Sequence, residues 1–180
     1  MVCVPARAGN LLNNGGFDTG DFSGWTMTNP GDTYVGLASP GYPGFAPENG
    51  LYLAYFGTSG HQTTLSQTFG DVAGTVYTLS FYVEGGALQN GEINTFDVTM
   101  DGTTLLNLSQ LNKLSYDEYT YTFTGTGSDT VAFASQNDNN YFGLDDVSVS
   151  SVAPEPASWM LLATGAVALM VCWMRRRVAV

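Results

Sequence analysis

Few residues in this chain could do covalent chemistry, and their spacing argues against it. His61 is the only histidine, in the polar run His61-Gln62-Thr63-Thr64. No nucleophile–histidine–acid pattern surrounds it. Two carboxylates could serve a glycosidase; Asp117-Glu118 is a candidate member of such a pair, or an exposed turn. Cys3 and Cys172 lie in the terminal segments, so the body holds neither a disulfide framework nor a thiolate zinc site. Binding chemistry is better represented. The proline-stiffened loop from Ser39 to Pro47 carries Tyr42 and Phe45, and a flat aromatic held out this way could stack on a sugar ring. Tyr116, Gln89, Asn90 and the run Gln136-Asn137-Asp138-Asn139-Asn140 could add hydrogen bonds. The competing reading folds these aromatics against the body, and Trp25 reads as core.

The charge narrows the partners. Between Gly9 and Ala153 there are fifteen acids and one base, Lys113, for a formal charge of −14. Such a surface repels phosphate backbones, which excludes nucleic acid as a natural partner. It suits divalent cations or neutral ligands, or it serves solubility outside the cell. The chain is 180 residues long, 44% hydrophobic and only 12% charged. That predicts one domain with a genuine core.

The elements that must position these residues are strands. Period-two alternation recurs through the body and no helical period does. Tyr77, Leu79, Phe81 and Val83 fall on one face; so do Phe96, Val98 and Met100; so do Tyr119, Tyr121 and Phe123; so do Val131 and Phe133. Leu51, Leu53 and Tyr55 form another row. Asp101-Gly102 between two such runs predicts a hairpin. Short strands at this spacing mean an antiparallel sandwich or barrel. In the closing run the alternation slips: Phe142 and Leu144 share one face, Val147 and Val149 the other. A bulge at Asp145-Asp146 would return both pairs to the core and aim a carboxylate at an edge.

The C-terminus is different in kind. Ser158 to Met174 is uncharged, with Trp159 and Trp173 near its ends and Arg175-Arg176-Arg177 following at once. As a helix its seventeen residues would rise about 26 Å, a short but sufficient membrane span. By the positive-inside rule the arginines stay cytoplasmic and the body lies on the far side. Pro154-Glu155-Pro156 precedes the span. Its prolines enforce an extended strand, a shape that a protease groove can grip. At the other end, Met1 to Ala8 reads MVCVPARA. That is too short for a signal peptide, although Ala6-Arg7-Ala8 has the small-x-small form of a cleavage site. The expectation is a start codon further upstream, with residues 1–8 the remnant of the cleavage region.

Two resemblances follow. The order Pro-Glu-Pro, apolar helix, arginine cluster closely resembles the PEP-CTERM sorting signal of Gram-negative bacteria that export surface polysaccharide. It departs only in Val178-Ala179-Val180 after the arginines. It implies recognition by an exosortase-type membrane transpeptidase with processing near Pro154, Glu155 and Pro156. It also implies anchoring in the inner membrane with the body periplasmic, then release to the cell surface or matrix.

The body resembles galactose-binding-like jelly rolls, including many carbohydrate-binding modules. Asn10-Leu11-Leu12-Asn13-Asn14-Gly15-Gly16-Phe17-Asp18 with Trp25 matches their opening, Tyr141 to Val149 their close, and Val72 to Phe81 a central strand. That likeness implies a structural calcium ion held by Asp18, Asp145 and Asp146, joining the first strand to the last. Backbone oxygens near Asn14–Gly16 and the Glu48-Asn49-Gly50 loop would assist. Asp18 stands where the family often has Glu; the alternative is that these acids are solvated or cap turns.

The organisation expected is therefore a single jelly-roll β-sandwich over 9–151, a linker with the signal over 152–157, a transmembrane helix over 158–174 and a basic tail over 175–180. The function expected is a non-catalytic, surface-sorted protein whose sandwich binds or organises extracellular polysaccharide through Tyr42, Phe45 and Tyr116. A purely structural coat protein and a secreted glycan hydrolase are the alternatives.

Overall fold

A computed structural model describes residues 9–37, 46–85, 93–138 and 140–152. Gly9–Ser151 form one compact unit. All the regular structure described is antiparallel β. The strands are β1 (Thr26–Thr28), β2 (Thr33–Leu37), β3 (Tyr52–Phe56), β4 (Thr63–Gly70), β5 (Val76–Gly85), β6 (Asn94–Met100), β7 (Thr103–Ser109), β8 (Lys113–Thr124), β9 (Ser128–Asn137) and β10 (Phe142–Ser151). They pair as two five-stranded sheets, β1-β4-β9-β6-β7 and β2-β3-β10-β5-β8. This is the two-sheet antiparallel sandwich, one of the two architectures the alternation allows and the one the resemblance implies.

The core is the alternation made solid. Tyr77, Leu79, Phe81 and Val83 of β5 face Phe96, Val98 and Met100 of β6 and Val131 and Phe133 of β9, all buried. Tyr119, Tyr121 and Phe123 of β8 pack partly buried against the same cluster. Phe81 meets Tyr119 in a stack at 5.5 Å and Phe133 edge-on at 5.2 Å. Each such ring removed from water stabilises the fold by about 1.5–3 kcal/mol. Asp101 and Gly102, both at positive φ (48° and 76°), form the two-residue turn between β6 and β7, the hairpin conformation that Asp-Gly favours.

Two expectations are corrected. Asn10–Asp18 is not a strand but an irregular clasp along β10. Leu11 N donates to Val149 O at 2.8 Å and Val147 N to Gly15 O at 3.0 Å. Asn10 Nδ2 donates to Val147 O, and its Oδ1 accepts from Val149 N. The clasp tucks Phe17 and Trp25 into the core, where Trp25 lies 5.8 Å from Phe17 and 6.0 Å from Phe133. Second, the row of Leu53 and Tyr55 faces away from the core. On β3, Ala54 and Phe56 point inward, while Leu53 and Tyr55 form a separate cluster with Tyr141 on the sheet's outer face. Leu51 precedes the strand and is exposed.

The slip in the closing strand is real. The β10–β5 register shifts between Asp145 and Ser148, and Asp146 takes a positive φ of 50°. The extra residue returns Val147 and Val149 to the core beside Phe142 and Leu144, all four buried. No helix among the described residues is long and apolar enough to cross a membrane. The expected span 158–174 lies outside them.

Candidate functional site

The second sheet presents an outer face unlike an ordinary solvated one. Cross-strand register lines up Tyr34 (β2), Tyr55 (β3), Gly143 (β10) and Glu84 (β5), with Tyr116 of β8 beyond. The next row places Asp145 (β10) opposite Tyr82 (β5), and Tyr82 opposite Glu118 (β8). Two tyrosine groups result. Tyr34 stacks on Tyr55 at 5.0 Å, and Tyr141 stands edge-on to both. Across the sheet, Tyr82 and Tyr116 meet edge-on at 6.4 Å. Between the groups lies Gly143. A Cβ there would come within 3.0 Å of Glu84 Cγ and of Leu53 Cδ1, so glycine gives Glu84 room to lie across this trench between the tyrosine groups.

Two carboxyls occupy that trench. Glu84 is 4% exposed and Asp145 0%. Burial pushes the Glu84 carboxyl up to about 7; the Tyr116 hydroxyl pulls it back, and the Asp145 charge adds to the rise. Tyr116 is itself pushed upward, by burial and by Glu84. Tyr116 Oη lies near enough to the Glu84 carboxyl to favour its charge without meeting it in full hydrogen-bond geometry. Glu84 Oε1 and Tyr116 Oη are both buried and unpartnered among the described residues, a condition native folds rarely tolerate. Burial also raises Asp145, to about 6, against backbone amides that favour its charge. Those amides tie a loop to the face: Glu48 N and Asn49 N donate to Asp145 Oδ2 at 2.8 and 3.3 Å, and Asp146 N donates to Oδ1. Tyr82 is half-buried, and its phenol is pushed up by burial and then by Glu118, Glu48 and Asp146. Among the described residues no base answers these acids. Lys113, the one lysine of the body, pairs with Asp117.

The three aspartates expected to share a metal are only partly brought together. Asp18 Oδ2 and Asp146 Oδ1 converge on Gly16; a Cβ on that glycine would sit 3.5 and 4.0 Å from them. Asp145 is committed to backbone amides instead. Among the described residues no group of three or more His, Cys, Asp or Glu could hold a metal ion. Asp18 also accepts from Leu51 N at 3.2 Å.

The remaining candidates divide. Tyr116 belongs to the tyrosine face. Tyr42, Phe45, Gln89, Asn90, Asn139, Pro154, Glu155, Pro156, Arg175, Arg176 and Arg177 lie outside the described residues. Asn137 is buried on the core side, and Asp138 caps a turn through Ser59 and Gly60. His61 is exposed and precedes β4 rather than lying within it. Asp117-Glu118 sits mid-strand in β8, not in a turn. Sequence reasoning missed Tyr82 and Glu84. Their signal was present, since both alternate with the core residues Phe81 and Val83.

Comparison with known proteins adds two findings. Residues 152–177 match the PEP-CTERM protein-sorting motif, which implies export and membrane-associated sorting. No curated protein matches the chain. Among solved structures, TmCBM61, determined in complex with β-1,4-galactotriose, aligns at TM-score 0.63 and 22% identity, covering 81% of this chain and all of that one. A family 16 carbohydrate-binding module aligns at TM-score 0.54 and 15% identity, over 78% of this chain and 99% of that one. The CBM22-1 xylan-binding domain of Paenibacillus barcinonensis Xyn10C aligns at 0.51 and 17%, over 83% and 99%. At these identities the likeness is one of fold. The chain carries a PEP-CTERM sorting motif behind a β-sandwich built like those of carbohydrate-binding modules.

Proposed function

We propose that this is a surface-sorted glycan-binding protein without catalytic machinery, its sandwich engaging extracellular polysaccharide on the outer face of the second sheet. The observation that carries the reading is the tyrosine-walled trench with its unpartnered Glu84 and Tyr116 groups. Aromatic faces stack on sugar rings, and unsatisfied buried polar atoms wait for hydroxyl partners. Tyr42 and Phe45 contribute from their loop. The tail directs export, an exosortase-type transpeptidase processes it near Pro154-Glu155-Pro156, and the apolar segment over 158–174 anchors the chain until then.

The test is titration of the full chain in detergent against a polysaccharide panel, with folding checked by near-UV circular dichroism. Saturable binding weakened at least about ten-fold by Tyr82→Ala or Tyr116→Ala supports the reading. A folded protein that binds no glycan replaces it with a structural coat role.

Calcium has a supporting place in this proposal, held by Asp18 and Asp146 with backbone carbonyls. The ion ties the clasp to β10. Adding calcium to chelator-treated protein should raise Tm by a few degrees, on the order of 2–6 °C, and Asp18→Asn should abolish the rise. A Tm indifferent to calcium removes the ion from the account.

A further inference from the structure

The accessible part of the trench is anionic as well as aromatic. Glu48 and Glu118 are exposed, and Asp146 and Tyr82 are half-buried. All three acids lie within electrostatic reach of the Tyr82 ring, which has Tyr116 edge-on beside it. Deeper in, Glu84 offers a buried oxygen without a partner. No arginine lies among the described residues, and the sole lysine is engaged at Asp117. The Glu118 and Glu48 carboxylates beside these tyrosine faces have no countercharge of their own and are complementary to a cation. Cations bind the faces of electron-rich rings, and carboxylates accept charge-assisted hydrogen bonds from ammonium donors. A uronate-rich polymer would meet only repulsion there, and a neutral one would leave the acids unanswered.

Accepting the glycan-binding reading above, we infer that the polysaccharide recognised by this face is cationic, a hexosamine polymer carrying free amino groups. One sugar ring packs on Tyr82 and Tyr116. Its ammonium is received by the exposed Glu118 and Glu48 carboxylates, with the buried Glu84 oxygen as a further acceptor. A de-N-acetylated unit fits because removing the acetyl group exposes the charged donor the acids require. An N-acetylated unit presents a neutral amide and a methyl group in its place.

The experiment compares four hexamers on the full chain in detergent: glucosamine, N-acetylglucosamine, β-1,4-linked galactose and lysine. It is run at about pH 6, where amines are protonated, in low and high salt. The expected result is roughly ten-fold tighter binding of the glucosamine hexamer than of its acetylated form, with the advantage shrinking in high salt. Glu118→Gln, at an exposed position, should reduce that preference several-fold. Asp97→Asn, which removes the same charge from the outer face of the first sheet, should not. Equal or better binding of the neutral hexamers overturns the inference and leaves glycan binding intact. Lysine binding as tightly as glucosamine, or Asp97→Asn acting like Glu118→Gln, reduces it to bulk charge attraction and overturns it too. No hexamer bound by a folded protein defeats both readings together.

Discussion

Glu84 is the residue whose environment is most at odds with its chemistry. It is a carboxyl placed where ionisation is costly, with its folded value raised from 4.5 to about 7 chiefly by burial. The sign follows from linkage. A carboxyl harder to ionise in the folded state favours folding most below its unfolded pKa. That contribution is lost as pH rises through the interval up to the folded value. Glu84→Gln should therefore match or trail the parent near pH 4 and exceed it at pH 8, by about 1–3 kcal/mol. Urea unfolding at the two pH values measures the gap. Asp145 shifts in the same direction, to about 6, so the parent's own stability should also fall across this range. Gly50 makes a second residue-scale test. Its φ is +72° and a Cβ would collide with the Asp18 carboxylate. Gly50→Ala should cost about 1–2 kcal/mol, read in the same unfolding experiment.

At the scale of the element, the bulge in β10 decides which side chains reach the core. Because side chains alternate with a period of two, losing one residue inverts everything beyond it. Deleting Asp146 should turn Val147 and Val149 outward and leave Ser148 facing the core; the expected outcome is loss of cooperative thermal unfolding and of the near-UV signal. The same periodicity explains what the sequence disclosed. In β5, β6 and β9 the large apolar residues share one face and the other is mostly Thr, Ser, Asp, Gln or Ala, with Val76, Tyr82 and Glu84 the exceptions on β5, so the inward face could be read directly. In β3 it could not. Leu53 and Tyr55 on one face and Ala54 and Phe56 on the other are both apolar, and only the pairing of β3 between β2 and β10 decides between them. The bulge was legible because Phe142, Leu144, Val147 and Val149 are too apolar to be left outside. The trench was not, for its rows join residues from five strands, and register is a property of the folded sheet. Glu84 beside Gly85 and Gly86 reads as the start of a turn until Gly143 is placed opposite it.

Across the whole molecule, acidity and function are coupled. A body with fifteen acids and one base repels itself, and salt should relieve that repulsion. Raising sodium chloride from about 20 to 500 mM should increase Tm modestly. A binding preference for amines should weaken over the same range, so stability and recognition should move in opposite directions in one titration.

The position of the closing strand has a mechanical consequence. The polypeptide leaves the sandwich from β10, which lies in the middle of its sheet between β3 and β5 and is also gripped by the clasp at Leu11 and Gly15. Tension transmitted along the tail would pull β10 along its own axis. Its bonds to β3 and β5 run across that axis and would be loaded together in shear, not peeled apart one at a time from an edge. A sandwich pulled through its central strand resists extraction, so force applied through the tail would meet the fold in its stiffest direction.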